Sequence, residues 1–340
     1  MTIRFSARIQ MAVTQDKKKH WFIPHDQAIP RPNDDPEITQ ILVGIYTLDL
    51  AKINEVEQTV YIDFYLGLQW YDSRFDSALS NTNLSPYQRK LEEVWQPNLH
   101  IINQRNLDKE LDEIVHINSQ GIVTYRQRYY GKLATSLDLR RFPFDEQTIK
   151  IELISFSYSP EEIHFVEAEE LNGISSEISL VNWSIIGLSS HSHAHYLQPE
   201  QQDYARFDYE IKVKRHSSFY AWRVLFPVAL IVFMSDLVFW LEPTQIIPQI
   251  TLATATMVSL ITYQFILRQE LPKMNYLTAE DKVIVGSMLL VFIALVKSVT
   301  SINLVAGGYR ELALSLDDIL KPRFRTSKSS IKYYKPGVNN

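Results

Sequence analysis

Between about residue 38 and residue 216 apolar and polar positions alternate in short runs, and beyond 216 the alternation gives way to three long apolar stretches. The clearest alternating runs are TVYIDFYLGLQW (59–70), GIVTYRQRYY (121–130), QTIKIELISF (147–156), NWSIIGLSS (182–190) and RFDYEIKVK (206–214). They are rich in β-branched and aromatic residues and are separated by turn formers, the pattern of half-buried strands. No long amphipathic helical pattern separates them. The pattern therefore predicts an all-β, immunoglobulin-like antiparallel sandwich of about ten strands over residues 31–216. Pro30, Pro32 and Pro36 mark its start, and residues 1–30 read as a leader or arm.

The apolar stretches at 219–241, 246–267 and 283–306 run for 22 to 24 residues each. About 20 apolar residues cross a bilayer as a helix, so three membrane helices are predicted. The first and third are mostly bulky and apolar, as lipid-facing helices are. The second carries Thr251, Thr254, Thr256, Ser259, Thr262 and Gln264 and no charge. Hydroxyls at membrane depth turn toward other helices or toward water. Thr251, Ala255, Val258, Thr262 and Phe265 recur at a 4-3-4-3 spacing and fall on one stripe of that helix. Such a stripe lines a pore, or else its hydroxyls bond carbonyls one turn back and glue helices together. Residues 309–340 hold seven Lys or Arg against three acids, which places the end of the third helix in the cytoplasm and the sandwich outside.

Composition removes several function classes. Net charge is −5 and the first 300 residues contain no long basic run, so nothing points to nucleic acid. There is no cysteine, hence no disulfide, thiolate zinc site or cysteine nucleophile. Arg4 and Arg8 precede no unbroken apolar run of the signal-peptide kind. In HSHAHY (191–196), His191, His193 and His195 share one face of an extended segment, roughly 6.6 Å apart. Three readings stay open for them: ordinary exposed histidines, a proton sensor, or a metal site. A metal-dependent hydrolase anchored in the membrane is one rival class, but no His-Glu-x-x-His or Gly-x-Ser-x-Gly pattern supports it, and no cofactor is implied. A membrane-anchored binding protein is another.

The apolar turn Phe142-Pro143-Phe144-Asp145 sits between two strand-like runs, and with an external sandwich and a hydroxyl-rich second helix it resembles the signature turn of the Cys-loop receptors, the pentameric ligand-gated ion channels. Animal members bracket this turn with two cysteines. Thr135 and Ile149 occupy those positions here, as in bacterial members that lack the pair. Other motifs follow in order. Trp70-Tyr71-Asp72 is similar to a Trp-x-Asp strand motif. Trp95-Gln96-Pro97-Asn98 is similar to Trp-x-Pro-Asp, with Asn98 in place of the acid. Phe156-Ser157-Tyr158 and the FWLE of 239–242 look most like the amine-gated bacterial channels. Arg215 stands eleven residues after Tyr204 and twelve before Pro227, and the LPK of 271–273 resembles the end of the pore helix. The resemblance covers roughly 38–306. The family's fourth membrane helix has no counterpart in 307–340, read here as a basic cytoplasmic tail of a chain cut before that helix.

The resemblance implies a homopentamer, multi-pass in the inner membrane among its lipids, with agonists bound between neighbouring sandwiches. The matching positions are Phe156, Tyr196 and Tyr204, Tyr65 from the neighbour's strand, and Ile102, where an aromatic is missing. Ring faces attract cations, which fits a small amine. Proton-gated relatives make a pH change the rival trigger. The resemblance also implies that Phe142, Pro143 and Phe144 press on the helix link 268–281, which contains Pro272, while Asp145 and Glu55 face Arg215. Thr251 would be the inner ring of the pore, Val258 its apolar gate and Phe265 an outer constriction. Glu242 near the inner mouth, with no basic residue there, favours monovalent cations.

Overall fold

A computed structural model of the chain describes residues 29–32, 37–79, 87–241, 245–267, 275–313 and 315. The leader up to residue 28, Glu242, Pro272 and most of the basic tail lie outside the described residues.

Twelve strands form the first half: β1 (Thr39–Asn54), β2 (Thr59–Tyr71), β3 (Tyr87–Lys90), β4 (Leu99–Ile101), β5 (Gln104–Lys109), β6 (Ile114–Ile117), β7 (Ile122–Ala134), β8 (Glu146–Ser155), β9 (Ile163–Glu167), β10 (Gly173–Ile174), β11 (Trp183–Leu197) and β12 (Gln202–Arg215). Eight belong to one sheet, ordered β10-β1-β2-β7-β6-β3 with β5 on β7 and β9 on β1; the other sheet runs β11-β12-β8-β4. The period-two pattern dictates which face each residue takes. Ile41, Val43 and Ile45 of β1, Ile62, Phe64 and Leu66 of β2, Ile149, Ile151 and Leu153 of β8, and Phe207, Tyr209 and Ile211 of β12 all enter one core. Trp70 and Trp95 meet edge to face in it at 5.9 Å, and Phe165 meets Phe207 at 6.5 Å.

The sandwich departs from the expected antiparallel scheme at one edge. β9 and β10 pair with β1 in parallel. They reach that edge after the chain has crossed over from β8 in the opposite sheet, since parallel partners are joined by crossovers and not by tight hairpins.

Three helices long and apolar enough to cross a membrane follow: Trp222–Trp240, Ile246–Leu267 and Ala279–Ala306. The first is not uniform. A short helical turn at Ser217–Tyr220 passes into a π turn at Ala221–Leu225, an α segment at Phe226–Asp236 and a 3-10 end at Leu237–Trp240. Pro227 has no N–H and its ring crowds the preceding turn, which disrupts the ladder there. The third span begins four residues before the expected 283. Thr278 caps it, its hydroxyl taking the Asp281 N–H while the Asp281 carboxylate takes the Thr278 N–H. The third span is also less purely apolar than its composition suggests. Lys297 is buried among the helices with Nζ 5.3 Å from the Phe239 ring, and Ser298 and Ser301 are buried beside it in sequence.

Candidate functional site

The described residues carry three places of interest: a charged junction at the base of the sandwich, an aromatic cluster on its outer sheet, and the exposed stripe of the second span.

At the junction, β12 delivers Arg215 and the turn before β8 delivers Asp145. Both are nearly inaccessible, with side-chain exposures of 1% and 2%. The pairing is two-pronged, Arg215 Nε to Asp145 Oδ1 at 2.8 Å and Nη2 to Oδ2 at 3.2 Å. From the turn between β1 and β2, Glu55 accepts Nη1 at 2.7 Å. Burial pulls the Arg215 pKa down, but bonds and charge from Asp145 and then Glu55 more than offset it, so the guanidinium stays charged and above its ordinary value. Aromatic rings surround it, with Trp183 at 4.1 Å, Phe142 at 4.8 Å and Tyr220 at 5.5 Å. Such a cluster is worth little as net stability, yet loss of one partner leaves a charge stranded.

Gln147 clamps the turn. Its Nε2 donates to the Asp145 carboxylate at 2.6 Å and to the Asp138 carbonyl at 2.8 Å, and its Oε1 accepts the Asp138 N–H at 3.0 Å. These bonds tie the start of β8 back to the segment before the turn, between Asp138 and Gln147.

The turn residues do not behave as one apolar wedge. Phe142 and Pro143 are buried and joined by a cis peptide bond. The Phe142 ring packs edge-on against Tyr220 at 4.9 Å, where the first span begins, and its carbonyl accepts the Glu280 N–H at 3.3 Å, where the third begins. Phe144 is 58% exposed, and residues 268–274 of the link it was expected to press on lie outside the described residues. In this short turn, burying Phe142 and Asp145 toward the helices leaves Phe144 outward. Contact with the link's end comes from Tyr276, whose hydroxyl accepts the Leu139 N–H at 3.2 Å and whose ring lies 5.0 Å from the Arg140 guanidinium. Sequence reasoning missed Trp183, Tyr220, Tyr276 and Gln147. Trp183 could have been found, because β11 and β12 set it directly opposite Arg215.

On the outer sheet, Phe156 and Tyr204 meet edge to face at 6.0 Å. Tyr204 is buried, its hydroxyl bonded to the Glu200 carboxylate. Burial first, then that bond, pushes its pKa to about 12, so the phenol stays protonated at physiological pH. Tyr196 is exposed near the end of β11, and Ile102 is half-buried just past β4. Tyr65 belongs to the other sheet, exposed beneath the Arg128 guanidinium at 5.9 Å, so one chain does not close a box around Phe156. His100, which the sequence did not single out, stacks at a tilt on Phe156 at 5.5 Å. Burial, then the nearby Lys109 charge, lowers its pKa. Asn98 takes a positive φ of 51° and donates to Ser157 Oγ at 2.7 Å. Asn tolerates that left-handed backbone, and its amide supplies the donor that Asp lacks.

The three histidines line β11 opposite β12. His193 lies 4.0 Å from the Asp208 carboxylate, and His195 Nδ1 is 3.5 Å from Arg206, which itself grips Asp208 at 2.7 Å. Among the described residues no group of three or more His, Asp or Glu has the geometry to hold a metal ion.

On the second span, Thr251, Ala255, Val258, Thr262 and Phe265 are all exposed, while Ala253, Thr256 and Leu260 turn inward. Thr262 donates to the Val258 carbonyl at 2.9 Å and Ser259 to that of Ala255 at 2.8 Å. Their hydroxyls are thus satisfied within the helix and remain outward.

Residues 17–217 match the model of the neurotransmitter-gated ion-channel ligand binding domain, and residues 224–310 that of the neurotransmitter-gated ion-channel transmembrane region. The chain is 26% identical over 284 residues to a proton-gated ion channel of Gloeobacter violaceus, covering 82% of this chain and 78% of that one. It is 26% identical over 274 residues to the gamma-aminobutyric acid receptor subunit theta of Mus musculus, covering 79% of this chain and 43% of that one. With both regions matched in order behind a sandwich and membrane-length helices, the chain belongs to the neurotransmitter-gated ion channels, a family of ligand-gated membrane channels and not of enzymes.

Proposed function

We propose that five copies of this chain assemble around the second span as a cation-selective channel of the inner membrane, its sandwiches on the extracytoplasmic side, opened by a small amine or by a change in pH. The observation that carries this is the stripe Thr251, Ala255, Val258, Thr262 and Phe265, which the chain leaves uncovered on a helix with hydroxyls and no charge. Val258 is 58% exposed and Phe265 66%, and apolar rings at these levels close a narrow pore by excluding water. The Arg215 cluster and Phe142 touch the first and third spans, a route by which motion of the sandwich reaches the helices.

In this reading the amine sits against Phe156, Tyr196 and Tyr204 of one chain and Tyr65 of the next, each cation–ring contact contributing about 0.5–2 kcal/mol. A pH trigger is the second reading. It is favoured by His100 against Phe156 and His193 beside Asp208, and by the proton-gated relative. Voltage-clamp recordings with a panel of primary amines and a pH sweep separate the two. Amine-evoked current that disappears in Phe156→Ala supports the first; current that follows pH alone and survives that change supports the second. A Val258→Ala channel that closes as tightly as wild type would refute the pore assignment.

A further inference from the structure

The hairpin between β11 and β12 carries an acid to the aromatic cluster of the outer sheet. Beyond Leu197 the chain reverses through residues 198–201. The Glu200 N–H bonds to the Leu197 carbonyl at 3.2 Å, and Gln201 takes a left-handed φ of 51°. The reversal brings Glu200 back onto the strand that leaves the turn, where its carboxylate accepts the hydroxyl of Tyr204, four residues on. Tyr204 is 3% exposed and its ring meets Phe156 edge to face at 6.0 Å, so the carboxylate stands one phenol ring away from Phe156. Because Tyr204 keeps its proton, the bond fixes the carboxylate without neutralising it. A carboxylate has room for about four donors, and Tyr204 supplies one. Arg206, further along β12, is engaged instead by Asp208 at 2.7 Å and Glu152 at 3.1 Å.

Rings and a carboxylate read different parts of a cation. An aromatic face attracts positive charge whatever the nitrogen carries, and it serves a quaternary ammonium as well as a primary one. A carboxylate also accepts N–H donors, in charge-assisted bonds about twice as strong as neutral ones. A quaternary nitrogen has no N–H to give.

We propose that Glu200 is a specificity-determining residue: it takes the N–H groups of a primary ammonium whose charge lies against Phe156, Tyr196 and Tyr204, and the Tyr204 hydroxyl holds it in place. The assignment rests on the amine reading of the aromatic cluster, and it narrows the ligand class to amines that retain N–H donors.

The test measures binding of two probes of matched chain length, n-propylamine and propyltrimethylammonium, to the full chain reconstituted in lipid nanodiscs. Isothermal titration calorimetry is run at neutral pH, where both probes are cations. The wild-type chain binds the primary amine about tenfold more tightly than the quaternary one. Glu200→Gln, in an exposed turn, brings the two within about twofold by weakening the primary amine alone. Tyr204→Phe keeps the ring and the carboxylate but removes the bond between them, and the preference falls about threefold. Equal wild-type affinity for both probes overturns the proposal, as does a preference that survives Glu200→Gln or an equal loss of both probes in that variant. So does a preference that Tyr204→Phe leaves intact. Phe156→Ala separates these outcomes from failure of the site itself. If it weakens both probes, the aromatic cluster is the site; if it weakens neither, the amine reading falls and the assignment of Glu200 falls with it.

Discussion

The two halves of the chain reach very different degrees of self-sufficiency. The sandwich buries both inner sheet faces against each other, and Ile41, Phe64, Phe207 and Ile211 lose essentially all contact with solvent. Among the described residues the three spans share a small buried apolar cluster centred on Val228, Leu260 and Val291, and most of each helix faces outward. Water drives the sandwich to close on itself, whereas lipid gives apolar helices no comparable reason to hide from it. Beside apolar side chains such as Val238, Ala253 and Ile284, the helices hide polar ones: Thr256, Ser298 and Ser301 turn inward, and Thr256 and Ser298 bond back to carbonyls of their own helix. The sandwich core closes within one chain, whereas the helices leave most of their surface uncovered.

Four experiments press on that contrast. The largest expected loss is in the sandwich core, where Phe207→Ala lowers unfolding free energy by about 3–5 kcal/mol, read by thermal or denaturant unfolding of the purified protein. At the seam between the halves, Arg215→Ala strands the buried Asp145 and costs up to about 3–5 kcal/mol. Arg215→Lys rescues the charge but not the two-pronged geometry, so it recovers only part of the loss. A smaller effect is expected from acid. The folded state holds the His100 pKa below its usual 6.5, so between those two values the unfolded chain binds the extra proton. Stability present above pH 6.5 is therefore lost as pH falls through the lowered value, and His100→Gln flattens that part of the profile of unfolding temperature against pH. The smallest effect on stability belongs to the exposed stripe. Val258→Ala stays within about 0.5 kcal/mol of wild type, because Val258 is 58% exposed. A large destabilisation there would show that the stripe is a packed face.

Much of the architecture was legible because its cause is local. Alternation placed the core faces of β2, β8 and β12, and run length placed the second span at 246–267, where the helix forms. The resemblance to the Cys-loop receptors implied that Arg215 is a junction arginine, and the fold sets Asp145 and Glu55 on it. Partners that arrive from far along the chain were not legible. Gln147 as the clamp of the turn, Tyr276 under Leu139 and His100 on Phe156 are contacts whose sequence separation carries no periodic trace. Phe142 and Phe144 mark the complementary limit, since identical chemistry at 142 and 144 gave no sign that one ring is buried and the other exposed.

By itself the sequence determined a β sandwich outside, three membrane-length helices after it, and a hydroxyl-bearing stripe on the second. These are one-dimensional patterns of burial, which neighbouring residues impose on one another. Only the tertiary structure decided that β9 and β10 run parallel to β1, that the Phe142 ring is buried against Tyr220 while Phe144 is exposed, and that the Tyr263 hydroxyl of the second span donates to the Arg223 carbonyl of the first. Each of those depends on where distant segments come to rest, and that is set by packing and by the demand that buried polar groups find partners.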